Sequence, residues 1–223
     1  TGVKVELDGQ DFTFAAADGF RLAVFKGKLA EPVSEGVSFI IPARALQEVA
    51  RLAGGQPSPV ELTVDRNKYY ALFRLQDSEL ISKLIQGTFP NYARLIPQSY
   101  QTRVVVNLAQ LLKAIQAMTI VAKDGLPFVR LYATNDGGGQ LSISSLSETG
   151  EVNQWKIDVR VEGAEGKIAL NSRYLAEVLS VLGKGEVALE FTTPSSPGVL
   201  RPLNDQGIDQ GYVHVVMPMF VQW

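Results

Sequence analysis

One stretch of this chain is written twice. Residues 41–50 (IPARALQEVA) return as residues 170–179 (LNSRYLAEVL), with Arg44 and Arg173, Leu46 and Leu175, Glu48 and Glu177, and Val49 and Val178 at identical spacing. The neighbouring segments recur in the same order: GVKVEL (2–7) as FVRLYA (128–133), FTFAA (12–16) as LSISS (141–145), and VELTV (60–64) as VALEF (187–191). Composition alone does not produce such a sequence of matches, so the chain is read as two copies of one domain, residues 1–100 and 101–223. The copies are unequal. The second opens with a strand and helix at 104–121 that have no counterpart before Gly2, which implies that about 25 or more residues of the first copy are missing and that the chain is a fragment.

Within each copy, short runs alternate apolar and polar residues, as half-buried strands do, and Asp8-Gly9, residues 136–139 and residues 163–166 supply turns between them. Three segments keep the helical period instead, with stripes Leu46, Val49, Ala50, Ala53, then Leu111, Leu112, Ile115, Met118, then Leu175, Val178, Leu179, Leu182. Each stripe needs a sheet to bury it. The expected class is therefore α+β: antiparallel sheets outside, with the helices of both copies turned to one concave surface.

The residues available exclude most enzyme classes. There is no Cys, hence no thiolate metal site or Cys nucleophile, and the lone histidine, His214, rules out every two-His metal motif. His214 sits in the alternating run 212–216 and reads as structural or surface. Carboxylates such as Asp8 with Asp18, or Asp136 with Glu148, come without a His, a nucleophile or a ligand spacing. The glycines at 137–139, 183 and 185 are not followed by Gly-Lys-Ser/Thr and make no phosphate loop. No catalytic site, cofactor or metal is expected. No apolar run approaches the roughly 20 residues of a membrane span, and the absence of Cys fits a reducing cytoplasm.

Charge is unevenly placed. Residues 40–53, 103–123 and 169–184 hold seven of the 21 basic residues and two of the 23 acidic ones, leaving the remainder of the chain acidic. At 100° per residue Arg44 and Arg51 fall opposite the apolar stripe of their helix, and Arg173 and Lys184 occupy the same place in the second copy, with Lys113 on the helix between. Such faces could simply be solvated. Their repetition points instead to a polyanion held through phosphates without base reading, as on duplex DNA.

Four motifs in order, DGFRLAV (18–24), FPNY (89–92) with Arg94 and Pro97, LNSRYLAEVL, and VVMPM (215–219), resemble the bacterial DNA polymerase III beta subunit, the sliding clamp family. The likeness spans the whole chain and corresponds to most of the family's middle domain and its complete C-terminal domain. It implies repeated DNA-clamp domains in a head-to-tail homodimeric ring around DNA, a non-catalytic processivity factor. A hydrophobic cleft would receive linear peptides from the polymerase, the clamp loader and other partners. Matching positions for the cleft are Gly19, Arg21, Leu22, Pro90, Arg94, Leu95, Asn171, Tyr174, Val215, Val216, Met217, Pro218 and Met219, with Leu22, Val216 and Met217 as the surfaces that bury a peptide's anchors. Ile120 and Val121 would lie near the subunit interface of the full ring, and this chain alone is expected to be monomeric or non-specifically associated. Met217 and Met219 also suit a plain strand, although unbranched methionine adapts to varied ligands. The sequence departs from the family at Ala17 and Phe20, where Thr and His are frequent, and in the tail 220–223. Trp223 either folds over the cleft or is an ordinary surface residue. A β-rich enzyme or carbohydrate-type binding module is the alternative, and substrate turnover or sugar binding would distinguish it.

Overall fold

The computed structural model describes residues 2–121, 127–146 and 152–223. Internal contacts divide them into two compact units. The first holds the chain up to Asp18 together with Val24–Tyr92, and the second holds Gly19–Ala23 together with Ala93–Trp223. The break thus falls at Tyr92, and a five-residue piece of the first repeat joins the second unit.

The first unit runs β1 (Gly2–Asp8), β2 (Asp11–Ala17), β3 (Arg21–Lys28, whose first three residues belong to the second unit), β4 (Val37–Pro42), α1 (Ala43–Ala53), β5 (Glu61–Val64), β6 (Tyr70–Arg74) and β7 (Glu79–Lys83). Strands are ordered β4-β1-β2-β3 in one sheet and β5-β6-β7 in another. Between them lies a core of Val5, Leu7, Phe39, Ile41, Ala71, Phe73 and Leu84.

The second unit runs β8 (Thr102–Asn107), α2 (Leu108–Val121), β9 (Phe128–Thr134), β10 (Gln140–Leu146), β11 (Val152–Asp158), β12 (Arg160–Gly163), β13 (Gly166–Asn171), α3 (Ser172–Leu182), β14 (Glu186–Phe191), β15 (Gly198–Asn204), β16 (Gly207–Ile208) and β17 (Tyr212–Val216). Its sheets are ordered β11-β10-β9-β13 and β12-β8-β14-β15-β17, with β16 beside β15.

The repeat holds at the level of register. Val5 faces Phe14 and Phe39 across β1, and Leu131 faces Ile143 and Ile168 across β9, the same three positions of the two copies. Both copies also close the outer edge of one strand in the same way. The Ile85 N–H donates to the Ile40 carbonyl on β4, and the Met219 N–H to the Ala169 carbonyl on β13, each at 2.8 Å. A chain crossing there satisfies an edge that would otherwise offer unpaired backbone groups.

The helices differ, and their neighbours explain why. Helix α3 packs against α2, and Leu175, Val178 and Leu179 are buried. Each such side chain contributes about 1.5–3 kcal/mol. The described part of the first unit contains one α-helix, and α1 buries no residue fully; Leu46 and Val49 are half-buried, and Ala50, expected in the stripe, is exposed. Asn171 caps α3, its Oδ1 accepting from the N–H groups of Arg173 at 2.9 Å and Tyr174 at 3.2 Å. Pro42, at the same position of α1, offers no such bond.

Across β12, β8, β14 and β15 runs an ionic row. Glu190, nearly buried, accepts from Arg103 at 2.7 Å and Arg201 at 3.3 Å, and Arg103 also meets Glu162 at 2.9 Å and stacks on Tyr100. Among the described residues no helix is long and apolar enough to cross a membrane.

Candidate functional site

The second unit assembles most of the expected cleft residues from four separate places in the sequence. A turn at Asp18-Gly19 delivers the first of them. Gly19 sits at φ +87°, in the left-handed region that favours glycine, and the chain then enters β3 with Phe20 outward and Leu22 inward. The Phe20 carbonyl accepts from the Met217 N–H at 2.8 Å, which brings the 215–219 segment alongside. Pro218 bridges Leu170 at the end of β13, and Asn171 and Tyr174 follow at the start of α3.

Arg21 is the hub of this group. Its guanidinium lies 4.4 Å from the centre of the Tyr174 ring and forms an ion pair with Glu177, one turn further along α3. The Phe20 ring approaches the same tyrosine at 6.4 Å. Arg21 therefore arrives at the surface already oriented, stacked on an aromatic face and neutralised by a carboxylate. Glu177 had no place in the sequence-derived site. Its identity with Glu48 in the repeat marked it only as part of the shared helix.

Burial corrects the expected anchor surfaces. Leu22 is 3% exposed and Val216 fully buried, so neither can present a side chain to a peptide. Val215 and Pro218 are buried as well. Within residues 19–22 and 215–219 the apolar groups that reach solvent most are Phe20, 61% exposed, and Met217, 46% exposed. Leu22 and Val216 lie within β3 and β17, whereas Phe20 stands just before β3 and Met217 just after β17, where the backbone leaves the strands and the side chains reach solvent. Trp223 neither covers this surface nor stands loose, since its ring lies 4.8 Å from Lys167 Nζ.

Arg94 and Leu95 also belong to the second unit, on the exposed one-turn 3-10 helix Tyr92–Leu95, whereas Pro90 belongs to the first. Tyr92, which opens that turn, is fixed within the first unit. Its hydroxyl donates to Glu6 at 2.5 Å, and Lys4 binds Glu6 at 2.7 Å and lies over the tyrosine ring. Burial and the Glu6 carboxylate push the Tyr92 hydroxyl up to about 12. Burial works to raise the Glu6 carboxyl, but hydrogen bonds from Lys4 and Tyr92 hold it below its usual value.

The basic residues divide. Arg44, Lys113 and Arg173 are exposed on α1, α2 and α3. Arg51 is exposed but bound by Glu48 at 2.6 Å, which raises its affinity for its proton. Lys184 is exposed beyond the end of α3 rather than on it. Arg103, counted with the helices from sequence, lies on β8 in the ionic row. Lys123 and Glu148 lie outside the described residues. Ile120 is exposed near the end of α2 and shares with Arg173 and Glu177 a groove of about 550 Å³ between α2 and α3. Val121 closes α2, its side chain outside the described residues. No cluster of three or more His, Asp or Glu suited to a metal occurs among the described residues.

Comparison with known proteins accounts for nearly every residue. The model of the DNA polymerase III beta subunit central domain matches residues 1–91, and that of its C-terminal domain matches residues 93–220. The beta sliding clamp of Staphylococcus aureus is 31% identical over 94% of this chain and 55% of its own length. That of Bacillus subtilis is 28% identical over 98% and 56%. Among solved structures, the Bacillus subtilis DNA polymerase sliding clamp superposes with a TM-score of 0.90 at 27% identity, covering 100% of this chain and 57% of that one. A Pseudomonas aeruginosa sliding clamp bound to griselimycin gives 0.89 at 26%, covering 99% and 57%. The chain spans a little over half the length of these relatives.

Proposed function

The chain belongs to the DNA polymerase III beta subunit family, and from that premise we propose that it is the peptide-docking part of a sliding clamp, a non-catalytic processivity factor that works on duplex DNA in the cytoplasm. The observation that carries the proposal is the surface of the second unit, where Phe20 and Met217 are exposed beside an Arg21 already held by Tyr174 and Glu177. Two apolar anchors flanked by a fixed cation suit a short linear peptide: the anchors supply affinity, and Arg21 and the Asn171 end of α3 supply orientation. Arg94 and Leu95, exposed on their own turn, add to the same recognition, as do Gly19 through its turn and Met219 beside Met217. The partners are replicative polymerase, clamp loader and other proteins bearing such motifs.

Arg44, Lys113, Arg173 and Lys184 are proposed as phosphate contacts that bind DNA weakly and without sequence preference, with Arg51 a lesser contributor because Glu48 occupies it. Exposed Ile120, with Val121 next to it, is proposed as part of the contact that closes a two-subunit ring in the whole protein. Titration calorimetry of this chain with a hexapeptide carrying one leucine and one phenylalanine tests the docking reading, with griselimycin as a second probe. Saturable binding weakened about three- to ten-fold by Met217→Ala supports it, and no binding at millimolar peptide refutes it.

A further inference from the structure

Beyond Met217 the chain keeps to the edge of β13. Pro218 bridges Leu170, the Met219 N–H donates to the Ala169 carbonyl at 2.8 Å, and the segment runs back antiparallel to the strand. Its far end is held by two cations. The Gln222 carbonyl accepts from Arg130 Nη2 at 3.2 Å, and the Trp223 ring lies over Lys167 Nζ at 4.8 Å. Arg130 stands on β9 directly opposite Ala169, and Lys167 stands on β13 two residues from it. Both belong to the outward face of the sheet, since Val129, Leu131, Ile168 and Leu170 fill the inward one. The Arg130 side chain thus crosses β13 to reach the tail, supported by the Phe128 ring at 5.4 Å. Lys167 is four residues from Asn171, about 13 Å along the strand, so a tail held there leaves the start of α3 uncovered.

The near end of this segment is the docking surface. Met217 is exposed between a bond to Phe20 and the bond from Met219 to Ala169, and its side chain has three rotatable bonds. Phe220 is almost wholly in solvent, and loss of the contacts of residues 219–223 along β13 would release Met217.

We propose that Lys167 and Arg130 are positioning residues of the peptide cleft, acting through residues 218–223, which they pin along β13 so that Met217 is held where a peptide meets it. The inference rests on the docking reading above. Tryptophan is the aromatic that a lysine ammonium holds best, so Trp223 and Lys167 form the stronger pin, and Arg130 adds a charge-assisted bond to the backbone.

The test uses the full 223-residue chain. Trp155→Phe leaves Trp223 as the sole tryptophan of the two in the chain. In that background Lys167→Ala should shift Trp223 emission to the red as the ring enters water. Calorimetry with the leucine- and phenylalanine-bearing hexapeptide should show Trp223→Ala binding about three- to ten-fold more weakly than wild type. Trp223→Phe, which keeps a ring for Lys167, should return to within about two-fold of wild type. The thermal midpoint should not change in either variant. No binding by the wild-type chain overturns the docking reading and this inference together. Wild-type binding with Trp223→Ala equally tight, Trp223→Phe as weak as Trp223→Ala, or unshifted emission in Lys167→Ala overturns this inference alone.

Discussion

Phe20→Ala, just before β3, and Leu22→Ala, within it, should separate docking from stability. Complete burial of a large apolar side chain is worth about 1.5–3 kcal/mol. Phe20 is 61% exposed, so a peptide that covers it gains about 0.9–1.8 kcal/mol from that residue. Phe20→Ala should then weaken the hexapeptide about five- to twenty-fold and leave the thermal midpoint within about two degrees of wild type. Met217→Ala, from 46% exposure, should cost about 0.7–1.4 kcal/mol, or three- to ten-fold. Leu22, at 3% exposure, has nothing left to give a ligand, and truncating it creates a cavity. Leu22→Ala should lower unfolding free energy in urea by about 2–5 kcal/mol, with peptide affinity of the folded fraction changed less than about two-fold. The reasoning fails if Phe20→Ala binds as wild type does, or if Leu22→Ala loses affinity at full stability.

Other expected outcomes follow from the ionic contacts. Glu190→Gln leaves Arg103 and Arg201 facing each other, with Glu162 as Arg103's remaining partner, and should destabilise the chain by about 2–3 kcal/mol in urea; a loss below about 1 kcal/mol would show that the row is ornamental. The Tyr92 hydroxyl titrates near 12 in the fold and near 10 unfolded, so its contribution is complete below pH 10 and disappears as pH rises from 10 to 12. Tyr92→Phe should flatten the alkaline fall in thermal midpoint over that window, and an unchanged slope would contradict the assignment. Glu6, held below its usual value, contributes above its unfolded pKa and loses that contribution as pH falls below about 4.5. On duplex DNA at low salt, Arg44→Ala should reduce the log–log salt slope by about 0.9 and Arg51→Ala by clearly less, because Glu48 already binds Arg51. Equal reductions, read by fluorescence anisotropy, would remove the basis for ranking the two.

The repeat was legible because it is written in side chains. Arg44/Arg173 and Val49/Val178 share helix positions, and alternation placed the core residues of β1, β2, β9 and β10 on their correct faces. Charge was less legible, since counting residues by segment cannot see partners: Arg103 was grouped with a helix but lies in the Glu190 row, and Arg51 is bound by Glu48. At the proposed docking surface the motif names Leu22 and Val216, but both are buried, and Phe20 and Met217 are the exposed apolar residues next to them in the chain. Phe20, noted only as a departure from the family pattern, is the most exposed apolar group beside Arg21. Glu177 escaped notice because its partner Arg21 is far away in sequence, and no local pattern connects them.

Least legible of all is the closing of the β4 and β13 edges, and the reason is chemical. The bonds from Ile85 to Ile40 and from Met219 to Ala169 join backbone groups, so they impose little on side-chain identity, and LIQG and PMFV share no pattern. Once the edge is closed by backbone, the side chains that follow are left without a packing duty and can diverge. In the first copy the chain proceeds to Tyr92 and its bond to Glu6; in the second it proceeds to Trp223 and Lys167. Each ends in an aromatic ring held by charged side chains of its own unit: Tyr92 by Glu6 and Lys4, Trp223 by Lys167. One kind of crossing therefore leads to two different ends, a tyrosine hydroxyl bound by Glu6 in the first copy and a tryptophan ring beside Lys167 in the second, and only the shared backbone bond is common to both.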